Sequence, residues 1–429
     1  MTIVAVESHS DITQATLPDG WAWATLQEVC TLISDGTHQT PKYVSVGVPF
    51  YSVENVMANN FTSTKFVSES AHQEMCTKRG LQRGDILMTR IGSLGITKLI
   101  NWDVRASFYV SLALLRPGRE IESSYLYAYT QSSNFIRTVE DRSLLWAVPK
   151  KINMGDIGQV PIAYPVDPAE QVRIAEAIND AEMLVWAIEK MIAKKLAIKR
   201  GIMQQLLTGR SRLPGYRRPW RSVKLGDHVK YVKTVALSRA QLDGASPIRY
   251  LHYGDIHTSS AVLLPAATQD MPRAPKKLLG NAGLLQVGDL VFADASEDPA
   301  GIGKSVEITS VPMTGVVPGL HTIAARFDKA ILADGFKAYL QFVPNFRNAL
   351  LRLAAGTKVL ATTRAYISGM TLVLPEVDEQ LAIARVIADS DYEIEALQRR
   401  LTKAKSIKQG LMQELLTGNS RLPFAGVGA

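Results

Sequence analysis

Cysteine is nearly absent from this chain: Cys30 and Cys76 are the only two in 429 residues. Two thiols cannot build a disulfide framework, and they fit a reducing compartment. Metal-ligand groupings are missing as well. The seven histidines are scattered, and His252 and His257 have neither helical nor compact ligand spacing. No run reaches the ~18 apolar residues that a membrane-spanning helix requires. The opening MTIVAVESHSDITQATLPDG has no positive or apolar region of a secretory signal, so a cytoplasmic location is expected. Catalytic motifs are equally scarce. There is no Asp/Asn-Pro-Pro-aromatic stretch and no Gly-x-Gly cofactor loop after a strand, which argues against self-contained methyl transfer. Ala300-Gly301-Ile302-Gly303-Lys304-Ser305 hints at a phosphate loop, but Asp298 stands where the first glycine of that motif belongs. No catalytic residue, cofactor or metal is expected.

What the chain does have is a repeat. Glu170–Pro214, ending QQLLTGRSRLP, returns as Glu379–Pro423, ending QELLTGNSRLP, without a gap and with about half of the positions identical. So long a match marks a duplicated unit, and the length suits two or three domains. Net charge is +8, which suits a polyanionic partner. Lys190 to Lys224 holds eleven lysines and arginines and no acid. That is either a solvated helix face beside a positive loop or an electrostatic track for phosphates or an acidic surface.

Each repeat is predicted to be a long helix. Asp167, Pro168 and Glu170 form a start signal with Asp at the cap and Pro at the first turn. Apolar or small residues then alternate at spacings of four and three through Ile174, Ile178, Ala181, Val185, Ile188 and Ile192. The second copy gives Ile383, Ile387, Ser390, Ile394, Leu397 and Leu401. This is the heptad pattern of a helix-pair seam. Further on the seam shifts to Ile198, Ile202 and Leu206, and to Ile407, Leu411 and Leu415. Thr208-Gly209 and Thr417-Gly418 end the helices. Gly201 and Gly410, inside the pattern at matched positions, would fit a close backbone approach, a docked partner or a local kink.

Before each helix lies a mixed module with short β-like runs. In the first, strands are predicted near Pro49–Val53, Asp85–Met88, Ile96–Ile100, Phe108–Leu112 and Val160–Ile162, with a helix near Ser124–Arg137. In the second they fall near Ile248–Leu251, Asp289–Phe292, Gly315–Val317 and Thr371–Leu374, with a helix near Phe336–Leu353. Gly84-Asp85-Ile86-Leu87 corresponds to Gly288-Asp289-Leu290-Val291, and Val53–Val56 to Tyr253–Ile256. The scaffold repeats and the surfaces between do not.

Several of these features together resemble the DNA-specificity subunits of type I restriction–modification systems. They are the duplicated helices with Glu170-Gln171 and Glu379-Gln380, the LLTG-x-SRLP endings, Ser34-Asp35-Gly36-Thr37-His38-Gln39-Thr40-Pro41, the Gly-Asp-Ile-Leu and Ile91–Gly95 runs, and Pro161-Ile162. The second module lacks the Asp-Gly-Thr-His string, which bears on the bases read rather than the class. The resemblance implies an α+β chain: two mixed α/β target-recognition domains separated by two long helices in an antiparallel coiled coil, with a pseudo-two-fold repeat. The segments would be 1–166 and 214–375 for the domains, and 167–213 and 376–424 for the helical regions. Each domain would read half of a bipartite, asymmetric site in double-stranded DNA. Two methyltransferase subunits would dock on the helices and two motor–nuclease subunits would join them, leaving this chain non-catalytic. A stand-alone DNA-binding regulator and a self-contained endonuclease are the alternatives. Candidate DNA contacts are His38, Gln39, Thr40, Lys42, Arg90, Ser93 and Lys98 in the first module. In the second they are Arg249, His252, Tyr253, His257, Lys304 and His321. Lys150 and Lys151 of the first module and Arg364 of the second are candidate phosphate anchors.

Overall fold

A computed structural model describes residues 17–76, 80–144, 146–259, 261–296, 301–353 and 360–423. The opening segment before Leu17, Asp298 and Ala300 lie outside the described residues. The chain divides into two compact units, residues 1–189 with 399–429 and residues 190–398. Each unit therefore combines one mixed module with part of both long helices.

Those helices run Pro168–Leu206 and Val377–Leu415, 39 residues each. Asp167 caps the first, its Oδ1 accepting from the Ala169 N–H at 3.0 Å. Both stop two residues before the Thr-Gly pair. Gly209 and Gly418 take positive φ of 69° and 73°, which favours glycine. Space requires it too: a Cβ on Gly418 would lie 2.5 Å from Pro18, and one on Gly209 3.3 Å from Trp220.

In the first unit the sheet order is Cys30–Asp35, Leu112–Pro117, Ile86–Thr89, Thr97–Leu99, all antiparallel. A second sheet runs Tyr43–Val44, Lys65–Val67, Val48–Tyr51, Ser107–Phe108, its last pair parallel. Trp21–Thr25 pairs with Pro161–Pro165. The second unit repeats this plan. Val229–Val232, Thr322–Phe327, Leu290–Ala293 and Ser305–Ser310 follow the same order, with Leu263–Pro265 added at the edge. Arg273–Ala274, Ile248–Leu251 and Val316–Pro318 make the smaller sheet, again ending in a parallel pair.

The Gly-Asp landmarks explain themselves. Gly84 and Gly288 turn the chain at φ of 95° and 91°. The buried Asp85 then receives Arg116 Nε at 2.8 Å, and Asp289 receives Arg326 Nε at 2.8 Å. In both modules the carboxylate also accepts a backbone N–H, from Gln82 and from Gln286. These pairs raise the pKa of both arginines through the shared hydrogen bonds.

The module helices break where the local chemistry demands it. The first is two helices, Ser123–Thr130 and Ser133–Asp141, because Ser132 caps a new one by accepting from Phe135 N–H at 3.2 Å. The second starts afresh at Pro344, after a short 3-10 turn over Lys337–Phe342, since proline fits a first turn and not a helix interior.

Ion pairs give the long helices their direction in each unit. In the first, Glu182 meets Lys408 and Glu189 meets Lys405. In the second, Lys195 meets Glu393 and Lys199 meets Asp391. One number rises as the other falls, so the segments run antiparallel within each unit. Ile174, Ile178, Val185, Ile188, Ile383, Ile387 and Ile394 are buried, while Ile192, Leu397 and Leu401 are half-buried. Not all of these face only another helix. Ile174 and Ile178 enter the first module's core with Leu26, Ile157, Ile162, Met412 and Leu415. Ile383 and Ile387 do the same in the second with Leu225, Phe292 and Leu206. The shifted seam is corrected at two matched positions, where Ile198 and Ile407 are exposed. Gly201 and Gly410 are not close-approach points either: a Cβ at either would meet nothing within 4 Å.

Each module is locked to its helix by the Glu-Gln pair. Buried Gln171 donates to Pro165 O at 2.8 Å and Glu120 O at 2.9 Å, and accepts from Glu122 N–H at 2.7 Å. Buried Gln380 repeats this with Pro375 O at 2.9 Å, Ile331 O at 2.8 Å and Ala333 N–H at 2.9 Å. The glutamates take the arginine of the other repeat's Ser-Arg-Leu-Pro ending. Arg421 Nε lies 2.9 Å from Glu170, and Arg212 Nη2 lies 2.6 Å from Glu379. Replacing Gln171 or Gln380 by alanine strands one buried N–H and two carbonyls. Each change is expected to cost about 3 kcal/mol, measured by denaturant unfolding, with hydrogen-exchange protection lost in the unit that holds the substitution.

Candidate nucleic-acid interface

In the first module, Gly36 lets the Asp35–Thr40 loop lie against the strand Ser107–Phe108. A Cβ there would stand 2.1 Å from Phe108 O. Thr37 N–H donates to Phe108 O at 3.1 Å, and Val110 N–H donates to Thr37 O at 3.0 Å. The loop then presents His38, Gln39, Thr40 and Lys42, all exposed, along a cavity of about 720 Å³. Asp35 Oδ2 orients the His38 ring at 2.9 Å from Nε2.

Arg90 has a different place from the one its charge suggests. It is buried, and Nη1 donates to Val110 O at 2.9 Å and to Asp35 Oδ2 at 3.3 Å, while Nε donates to Ile152 O at 3.2 Å. It braces three loops from beneath. Ser93 is half-buried in the turn above it, and Lys150 and Lys151 are exposed next to that turn, Lys151 pairing with Ile91. Lys98 lies apart, half-buried on the edge strand, where burial lowers its pKa.

The second module gathers its candidates around one ring. Tyr253 has His252 at 4.5 Å, His321 at 5.5 Å and His257 at 5.9 Å between centroids. His257 lies 2.8 Å from Ala295 O, and Lys304 Nζ donates to His257 O. His321, exposed and at φ 56°, pairs with Asp294 at 3.2 Å. Burial lowers the pKa of His252, which favours its neutral form. Arg249 is outside this group, its guanidinium engaged by Ala267 O and Gln269 O. Arg364 is exposed on a short helix, 5.4 Å over the Tyr231 ring.

The two modules carry opposite charges at one backbone position. Arg90 N–H donates to Ser111 O, and Asp294 N–H donates to His321 O, each just past the matching strand. The first module therefore has Arg90 beneath Asp35 and His38, and the second has Asp294 beneath His321. Sequence reasoning missed Asp35 and Asp294, because their roles depend on neighbours far along the chain.

Five of the eleven basic residues in the Lys190–Lys224 segment are paired with acids of the same unit. Lys195, Lys199, Arg212, Arg218 and Arg221 pair with Glu393, Asp391, Glu379 and Glu376. These five stitch the second unit together. Cys76 lies 3.3 Å from His72 Nδ1, which also contacts Ser107. Burial raises the thiol's pKa and lowers the imidazole's, the opposite of the shifts that activate a thiolate. Among the described residues no group of three or more His, Cys, Asp or Glu could hold a metal ion, and no helix is long and apolar enough to cross a membrane.

Two modules of one strand order on two repeated helices are an arrangement that known proteins share. The family model for the type I restriction modification DNA specificity domain matches residues 18–198. Across 95% of both chains this one is 24% identical to the MjaX type I restriction enzyme specificity subunit of Methanocaldococcus jannaschii. It is 25% identical to the MjaVIII specificity subunit of the same organism, over 61% of this chain and 63% of that one. The fold is similar to the type I restriction–modification S subunit from M. genitalium, with TM-score 0.58 and 11% identity, covering 94% of this chain and 98% of that one. A chain from a structure of type I restriction–modification complex assembly gives 0.55 at 16% identity, covering 95% and 100%. Residues 18–198 thus match the type I restriction modification DNA specificity domain, and nearly the whole chain is similar to a type I specificity subunit.

Arg90→Ala and His38→Ala should separate support from reading. The first is expected to lower the unfolding midpoint, because Asp35 and two carbonyls lose their donor. His38→Ala should leave that midpoint unchanged and relax discrimination at one base pair by about 1–3 kcal/mol, read by duplex binding across single-base variants.

Proposed function

We propose that the chain reads a bipartite, asymmetric site in double-stranded DNA, one half-site per module, and catalyses nothing itself. The observation that carries this is the shared strand order bearing unlike loops: Arg90 with Asp35 and His38 in one module, Asp294 with His321 around Tyr253 in the other. A homodimer would carry the same charges twice and favour a palindrome. The boundaries proposed are 1–166 and 214–375 for the two readers, with 167–213 and 376–424 as helical regions.

In this proposal the helices set the interval between half-sites. At 39 residues each is about 58 Å long, enough to span one DNA turn of about 34 Å. Base identity in that interval should not matter. The helices also offer docking ground. Ile198 and Ile407 are exposed at matched positions, and Gly201 and Gly410, three residues on, face open space. A patch written twice suits two copies of one partner, taken here as two methyltransferase subunits, with two motor–nuclease subunits completing the complex. Adenine methylation, ATP-driven translocation and cleavage would belong to those partners, in the cytoplasm.

Mapping methylated adenines in a host that expresses this chain with its methyltransferase tests the reading. The expected mark is two unlike half-sites separated by a fixed run of unspecified bases. A contiguous or palindromic mark would contradict it.

A further inference from the structure

The loop from Arg142 to Lys151 holds Arg142, Lys150 and Lys151 and no acid. Its tip puts large apolar side chains in water: Trp146 is 93% exposed and Val148 98%. A tryptophan in the open is unusual on a monomer, since so large an apolar surface is ordinarily covered. The base of the loop, by contrast, is fixed. Leu144 N–H donates to Lys151 O at 2.8 Å, and Gly92 N–H donates to Lys150 O at 2.8 Å. Lys151 pairs with Ile91. Ile152 N–H donates to Arg90 O at 3.0 Å, and Arg90 Nε returns a bond to Ile152 O. Through the same arginine the loop is tied to Asp35, which orients His38.

An apolar tip and two exposed lysines thus share one frame with the polar loop that lines the candidate interface. The occupant follows from the charges. A protein surface would meet Trp146 with apolar side chains and would have to match two ammonium groups beside it. Duplex DNA supplies both needs at once, phosphates for the ammonium groups and, where a wedge opens a base step, apolar base faces for the ring.

We propose that Trp146 is an aromatic wedge that enters a base step in the first half-site while Lys150 and Lys151 hold the adjacent phosphates. This rests on the DNA-specificity reading and adds to it a residue that acts through its ring rather than by hydrogen bonds. Such a wedge unstacks one step and bends the duplex. It therefore favours the easily kinked pyrimidine–purine steps without touching their base edges.

The test uses the full chain, a duplex carrying the mapped site and tryptophan emission. Emission is expected to fall as the duplex binds, and the part of that fall due to Trp146 should vanish in Trp146→Phe. Trp146→Ala should bind about ten-fold more weakly, with an unchanged unfolding midpoint because the ring is exposed. Replacing Lys150 and Lys151 together by alanine should reduce the slope of log affinity against log salt by about 1.8. Emission from Trp146 that stays constant at saturating duplex, with full affinity in Trp146→Ala, overturns the wedge and leaves the DNA-specificity reading standing. Quenching of Trp146 by the methyltransferase subunit without DNA also overturns it and assigns the tip to protein docking. A chain that binds no duplex at all removes both.

Discussion

Everything else in this chain leans on an ion pair made twice. A glutamate in the first turn of one long helix, 3% exposed, receives the arginine that follows the end of the other: Glu170 with Arg421, and Glu379 with Arg212. A carboxylate that deep in a protein needs a charged, hydrogen-bonded partner. Here the partner comes from the opposite copy of the repeat, so neither half can complete its own helix start. Duplication is thereby turned into mutual dependence, and the antiparallel course of the helices within each unit follows from it.

The glutamine beside each glutamate explains how two unlike modules can share this frame. Gln171 and Gln380 bond only backbone groups of their modules, two carbonyls and one N–H in each. A socket that touches main chain alone does not depend on which side chains the module carries. Selection can rewrite the loops while the joint stays the same. The rewriting is visible where Arg90 in one module gives way to Asp294 in the other. It is visible again where Leu99 on one edge strand has as counterpart Glu307, buried with Lys337 and pushed by that burial to a pKa of about 7.

Much of this frame was legible in the sequence, for physical reasons. The helix starts, their Thr-Gly ends and the Gly-Asp turns are local devices, and a local device leaves a local signature. The repeat made the pairing of the two helices legible as well. What escaped the sequence was the identity of partners. Arg90 looked like a DNA contact because the sequence does not show that the carbonyls of Val110 and Ile152 take its guanidinium. The run from Lys190 to Lys224 left a solvated face and a phosphate track both open, because the acids it meets, Glu376, Glu379, Asp391 and Glu393, lie 155 to 198 residues from their partners. Of the readings open at Gly201 and Gly410, close approach is the one that the empty space around them removes. Trp146 left no sequence signal of its own, since an aromatic residue among Leu and Val ordinarily packs into a core.

If the socket ignores module side chains and each module reads its own half-site, then modules should be exchangeable. The most direct measurement is the methylation mark of a chain in which residues 220–375 are replaced by a second copy of residues 21–165. The account predicts a folded subunit that marks a site made of the first half-site twice. A chimera that fails to fold, or one that folds and marks two unlike halves, would contradict it.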